Sequence, residues 1–135
     1  MKIAVSASGQ SLDAEVDPRF GRCRYFIIVD PENMEFETVE NSGALAGGGA
    51  GIATAQMIAD KGIEAVLTGN CGPNAFQVLS AAGIKVVTGV SGKVRDAVLD
   101  YKAGKHEAIS QTNVSPHFGM GGGMGRGMGG GMGRR

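Results

Sequence analysis

Residues 64–88 read EAVLTGNCGPNAFQVLSAAGIKVVT, and the order of properties along them decides the fold. Glu64–Thr68 is a short apolar run of strand length. Pro73–Ala82 reads as a helix, with proline in its first turn and Gly83 just past its end. Ile84–Thr88 returns to β-branched, strand-like sequence. Strand, helix and strand in succession require parallel strands joined by a right-handed crossover.

Upstream, Lys2–Ala7 (KIAVSA) reads as a strand, and Ser8–Gly21 is polar and turn-rich, a long loop. Tyr25–Asp30 (YFIIVD) and Glu35–Glu40 (EFETVE) form a hairpin across Pro31-Glu32-Asn33, the second strand having one solvated face. Apolar residues at 52, 55, 58 and 59 mark one face of a helix over Gly51–Asp60, with Gly62 as its stop. Downstream, Ser91 is placed to cap a helix running to about Tyr101, and a short extended piece is expected at His106–Ser110. The order β-β-β-α-β-α-β-α predicts an α/β fold: a three-layer α/β/α domain with a mixed five-stranded, ribonuclease-H-like sheet. The expected strand order is 3-2-1-4-5, with strand 2 antiparallel to the others.

The folded part is expected to span residues 1–110, with residues 111–135 a disordered Gly/Met/Arg-rich appendage. Ten of the last 17 residues are glycine, and Met120, Met124, Met128 and Met132 recur every four positions. Such a composition buries too little apolar surface to offset its backbone entropy. The formal charge of zero hides an uneven spread: residues 1–116 carry a net −3, and the tail carries +3 through Arg126, Arg134 and Arg135. Neither a secretory leader nor an apolar run of the roughly 18 residues needed to span a bilayer is seen. A cytoplasmic protein with no membrane and no nucleic-acid partner is expected. In that compartment Cys23 and Cys71 stay reduced, so a disulfide is not expected.

The predicted topology brings the carboxyl ends of strands 1, 3, 4 and 5 and the start of strand 2 to one rim, where open α/β sheets bind ligands. Cys23, the Gly43–Gly51 loop and Asn70–Asn74 gather there, with the two thiols within ~10 Å by strand spacing. Each cysteine reads either as a small buried hydrophobe or as a ligand. Arg22 and Arg24 flank Cys23, and Cys71 precedes a helix N-terminus, so a lowered thiol pKa is expected if they ligate. Glycines 47, 48, 49 and 51 lead into a helix and read as a flexible connection or an anion cradle, but match neither a P-loop nor a dinucleotide fingerprint. His117 is a solvated side chain or a further metal ligand. Two cysteines cannot close an all-thiolate zinc site. Strand 1 contains no carboxylate, which excludes a two-metal nuclease of the ribonuclease H kind. A non-enzymatic protein is expected.

Four stretches carry a resemblance over residues 1 to about 108: Met1-Lys2-Ile3-Ala4-Val5, Asp17-Pro18-Arg19-Phe20-Gly21-Arg22 with Tyr25-Phe26, Gly47–Gly51, and Thr68–Ala75. They resemble the dinitrogenase iron–molybdenum cofactor biosynthesis family, which includes the NifX type and the C-terminal domain of NifB. The resemblance implies a ribonuclease-H-like domain that binds or carries metal–sulfur clusters or their precursors. The tail is similar to that of an archaeal iron–sulfur storage protein of the family. Together these readings predict carriage or storage of an iron–sulfur or mixed metal-sulfide cluster, exchanged with a cluster donor or acceptor protein, with homo-oligomers possible. Cys23, Cys71 and His117 are the expected metal ligands. Arg19, Arg22, Gly48, Gly49, Asn70, Gly72 and Asn74 are expected to hold the cluster's charge and sulfides. The rival reading is a metal-free anion- or nucleotide-binding regulatory module, or a tail-driven assembly protein.

Overall fold

The computed structural model describes residues 1–45 and 50–105. Its elements, in chain order, are β1 (Ile3–Ala7), β2 (Tyr25–Asp30), β3 (Glu35–Glu40), a 3-10 turn (Ser42–Leu45), α1 (Ala50–Ala59), β4 (Ala65–Leu67), α2 (Pro73–Ala81), β5 (Lys85–Val87) and α3 (Val94–Lys102). The sheet runs β3-β2-β1-β4-β5. β2 is antiparallel to β1 and β3, while β1, β4 and β5 are parallel.

The strands are apolar on both faces because both faces are covered. Ile3, Val5, Ile27, Val29, Ala65, Leu67 and Val87 pack on one side against Val94, Ala97 and Val98 of α3. Ala4, Phe26, Ile28, Val66 and Val86 pack on the other against Ala55 and Ile58 of α1 and Ala75 and Leu79 of α2. Adjacent residues alternate between the two cores, as the period-2 geometry of a strand demands. The result is the expected three-layer α/β/α domain with a mixed five-stranded sheet.

Glycine ends α2 as the sequence implies: Gly83 takes φ +77°, and Ile84 N–H donates to Leu79 O (3.0 Å). Two local expectations fail. Ser91 does not cap α3; Lys93 occupies the N-cap without a side-chain bond. The first amides of α3 are satisfied from elsewhere: Val94 N–H donates to Ala14 O (2.9 Å) and Arg95 N–H to Leu12 O (2.8 Å). Those acceptors belong to the 8–21 loop, which is the expected long loop and is packed against the body. Leu12 and Val16 are core residues, and bridges join Ala7 to Val16 and Glu15 to Lys93. Second, β3 is largely exposed on both faces, because it is the edge strand beyond the reach of the helices. The extended piece expected at 106–110, and the whole tail, lie outside the described residues.

Candidate functional site

At the carboxyl ends of β1 and β4 the chain is stitched into a rim by backbone hydrogen bonds. Asn70 N–H donates to Pro18 O (2.7 Å) and Phe20 N–H to Asn70 O (3.3 Å), forming a parallel bridge between Arg19 and Asn70. Gly89 N–H donates to Gly69 O (2.9 Å), adding the loop after β5. Beneath them, the buried Ser6 hydroxyl donates to Asp17 O (2.6 Å) and lies 2.8 Å from the Thr68 hydroxyl, satisfying polar groups the strand ends would otherwise leave stranded.

The two helices that begin at this rim touch there. A Cβ on Gly21 would lie 3.0 Å from the Cα of Gly51, and one on Gly51 would lie 3.7 Å from the Cβ of Ala75. The 17–24 loop, the start of α1 and the start of α2 are therefore in direct contact. Neither helix has an acidic residue in its first turn, and α2 begins from Gly72 without a side-chain cap. A helix start presents N–H donors and a positive dipole end, and at α2 no side-chain cap occupies them, so the arrangement favours an anion. Arg19, Arg22, Asn70 and Asn74 are exposed around it and Gly72 is half-buried.

Arg19 is held in place. Its Nε and Nη2 donate to the two carboxylate oxygens of Asp17 (3.1 Å each), and its backbone N–H donates to Oδ1 (2.9 Å). Burial pushes the Asp17 pKa up, but the hydrogen bonds and charge of Arg19 outweigh it, and the net shift is downward. A depressed folded-state pKa stabilises the fold above the unfolded carboxyl value and is lost as pH falls through the folded one. Replacing Asp17→Asn is expected to lower the thermal midpoint by a few degrees at pH 7 and to shrink that difference below about pH 4. Differential scanning calorimetry at the two pH values checks it; an equal deficit at both would refute the assignment.

The two thiols are closed off from the rim surface in this structure. Cys23 and Cys71 are both 0% exposed and belong to the same apolar cluster on the α1–α2 side. Cys23 Sγ–H donates to Phe20 O (3.4 Å), and burial followed by the charge of Asp17 pushes its pKa up to about 12. Burial alone pushes Cys71 to about 11. The expected lowering by Arg22, Arg24 and the α2 dipole is therefore reversed: desolvation of the thiolate dominates. Arg24 lies 5.5 Å from the centroid of the Tyr25 ring. Among the described residues, no group of three or more His, Cys, Asp or Glu side chains is placed to hold a metal ion. His117, Gly48 and Gly49 lie outside the described residues.

Two further supports, Asn41 and Asp17, differ in how far the sequence announces them. Asn41 is buried, donates through Nδ2 to Cys23 O (2.9 Å) and Gly21 O (3.2 Å), and accepts from the Thr54 hydroxyl (2.9 Å). This clamp ties the 21–23 backbone to α1, and nothing local to Asn41 announces partners 18 to 20 residues upstream. Asp17 has a visible signal, its spacing of two from Arg19, which fits a side chain folding onto a following turn.

The dinitrogenase iron-molybdenum cofactor family matches residues 1–104. An uncharacterized protein of Methanocaldococcus jannaschii is 34% identical over 110 residues, which cover 79% of this chain and 90% of that protein. Among solved structures, the apo form of the orange protein from Desulfovibrio gigas superposes with a TM-score of 0.81 at 43% identity, over 84% of this chain and 96% of that one. A Thermotoga protein described as a candidate NifB superposes with a TM-score of 0.71 at 36% identity, over 84% and 97%. By the match over nearly all of its described residues, the chain belongs to the dinitrogenase iron-molybdenum cofactor family.

Proposed function

We propose that the strand-end rim binds an anionic metal–sulfide cluster, iron–sulfur or mixed-metal, as non-covalent cargo that the protein carries or stores without catalysis. The observation that supports this most is the contact between two helix starts lacking acidic first-turn residues, beside Arg19 and Arg22. Sulfide on a cluster surface accepts hydrogen bonds, and the cluster's charge is met by the amides of residues 72–75, those opening α1, and the two guanidinium groups. Asn70 and Asn74 supply further donors. The closed, high-pKa thiols fit this mode better than thiolate ligation, because a cargo held by charge and N–H donors enters and leaves without breaking metal–thiolate bonds. A cytoplasmic cluster donor or acceptor protein is the implied partner.

Tetrathiomolybdate, a coloured metal-sulfide dianion, tests the reading under anaerobic conditions, with molybdate and inorganic phosphate as sulfur-free competitors. Tetrathiomolybdate should bind at least tenfold more tightly than either competitor. Arg19→Ala and Arg22→Ala should each weaken it about tenfold, the scale of one charge-assisted contact. The affinity should also fall with added salt. Equal affinity for phosphate and tetrathiomolybdate would point instead to a metal-free anion module, and indifference to both arginine substitutions would remove the site.

A further inference from the structure

The sheet ends in β3, whose outer side pairs with no other strand among the described residues. Asn41 N–H donates to Arg24 O (2.9 Å), one step beyond the Tyr25–Glu40 pair, and this fixes the phase of the β2–β3 ladder. Backbone groups of Glu35, Glu37 and Val39 therefore turn toward β2, and those of Phe36, Thr38 and Glu40 turn outward. An open row of amide donors and acceptors is a template for another extended segment. Beside the edge is a cleft of about 240 Å³ lined by Lys2, Ile28, Asp30, Glu35, Phe36 and Glu37. Its three carboxylates outnumber one ammonium, which lies 4.0 Å from Glu37. Phe36 is 44% exposed on the opposite face of β3, so the edge strand carries negative charge on one face and an uncovered aromatic ring on the other.

The same chain contains a segment of complementary chemistry. Between Gly119 and Arg135 every odd position up to 133 is glycine, while Met120, Met124, Arg126, Met128, Met132 and Arg134 all fall on even positions. In an extended strand successive side chains point to opposite faces. Drawn out, this segment has one face of methionine and arginine side chains and one bare of side chains, so a second backbone can approach it closely. It carries three arginines and no acidic residue. The chain also leaves the body at a suitable place. α3 follows a strand ending at the rim and runs back to the opposite end of the sheet, where the β2–β3 turn lies. Tyr101 in its last turn and Met34 in that turn pack against the same core cluster. Fourteen residues from Lys105 to Gly119 reach at most ~46 Å, against a five-strand sheet width of ~19 Å.

We propose that the Gly119–Arg135 segment adds as a sixth strand to the outer edge of β3 in the same molecule, setting Arg126 against the carboxylates of Glu35 and Glu37. Methionine thioethers flanking the arginine fall on that same face, toward the Ile28 side of the sheet, where soft, unbranched side chains pack readily. This seating is independent of cluster binding at the rim.

Hydrogen–deuterium exchange on the full chain tests it. The amides of Phe36, Thr38 and Glu40 should exchange roughly tenfold more slowly in the native protein than in the triple variant Arg126→Glu/Arg134→Glu/Arg135→Glu. The β1 amides should be the same in both, which reports an intact fold. Adding Glu35→Lys and Glu37→Lys to the triple variant should restore the protection, because the charge complementarity is re-created with its signs exchanged. Equal exchange of the three amides in native and triple-variant protein would overturn the proposal. So would protection that rises with protein concentration, since it would place a second molecule's segment on the edge.

Discussion

Alanine at position 69 is expected to remove at least about 3 kcal/mol of folding stability, a large share of the roughly 5–15 kcal/mol a domain of this size possesses. A Cβ there would stand 2.6 Å from the Cα of Pro18, 2.9 Å from its Cβ and 3.0 Å from its carbonyl oxygen. Most of that obstacle is backbone, which cannot rotate aside as a side chain can. The two segments are also pinned to each other by Asn70 N–H to Pro18 O, so separating them breaks the stitch that builds the rim. Gly43→Ala should behave similarly, its Cβ falling 2.6 Å from the backbone nitrogen of Thr54 and 2.8 Å from its Cα. Gly72→Ala is the internal comparison. It lies three residues from Gly69, has extended backbone (φ −74°, ψ 170°), and a Cβ there meets nothing within 4 Å. Its cost should stay near or below about 1 kcal/mol. If an anion seats against the start of α2, Gly72→Ala weakens binding while leaving the fold intact. Chemical denaturation of the three variants decides: a Gly69→Ala protein as stable as Gly72→Ala would show that the two backbones are not in contact.

The second large effect is chemical inertness. A thiol with a pKa of about 12 is ionised to roughly one part in 10⁴ at pH 8, against about a tenth for an unperturbed one, and alkylation proceeds through the thiolate. Combined with full burial, this should slow labelling of Cys23 by iodoacetamide at least ~10³-fold relative to denatured protein. Cys71, at about 11, should be slowed by at least ~10²-fold. Mass spectrometry of timed samples with and without denaturant measures both. Stability and binding should then separate in the paired variant. Cys23→Ala/Cys71→Ala empties two small volumes in the apolar cluster and should cost about 1–2 kcal/mol per site. Its affinity for tetrathiomolybdate should stay within about twofold of the native value, because the proposed donors are backbone amides and arginines. Loss of stoichiometric binding in a variant that remains folded would mean that the closed state opens to let sulfur reach the cargo. The non-covalent reading would then be wrong.

Element type was legible wherever a periodic pattern coincided with a punctuating residue. The Pro73–Gly83 segment is the clearest case: proline opens α2, a left-handed glycine closes it, and the flanking strands pair in parallel. The rim was legible for the same reason, since strand direction alone sends the 17–24 and 69–74 loops to one edge of the sheet. Legibility failed where the outcome depended on a distant partner. The first amides of α3 bond to Ala14 and Leu12, some 80 residues earlier, so the local serine reading at position 91 had a competitor invisible along the chain. The same holds for the Asn41–Thr54 clamp and for the burial of Leu12 and Val16 within a polar-looking loop.

The sequence by itself determined the order and kind of elements, the parallel core of the sheet, the rim on which its loops converge, and the family. Those properties follow from side-chain periodicity and chain direction, which are local. The tertiary structure alone decided the state of the two sulfurs. Whether a thiol near arginines and a helix start becomes a thiolate depends on how much water reaches it. Here Phe20, Phe26, Ala55 and Ala75 pack in one apolar cluster with both cysteines, and together they exclude it. Desolvation then outweighs neighbouring charge, which is why the binding mode we propose relies on the amides and guanidinium groups at the surface.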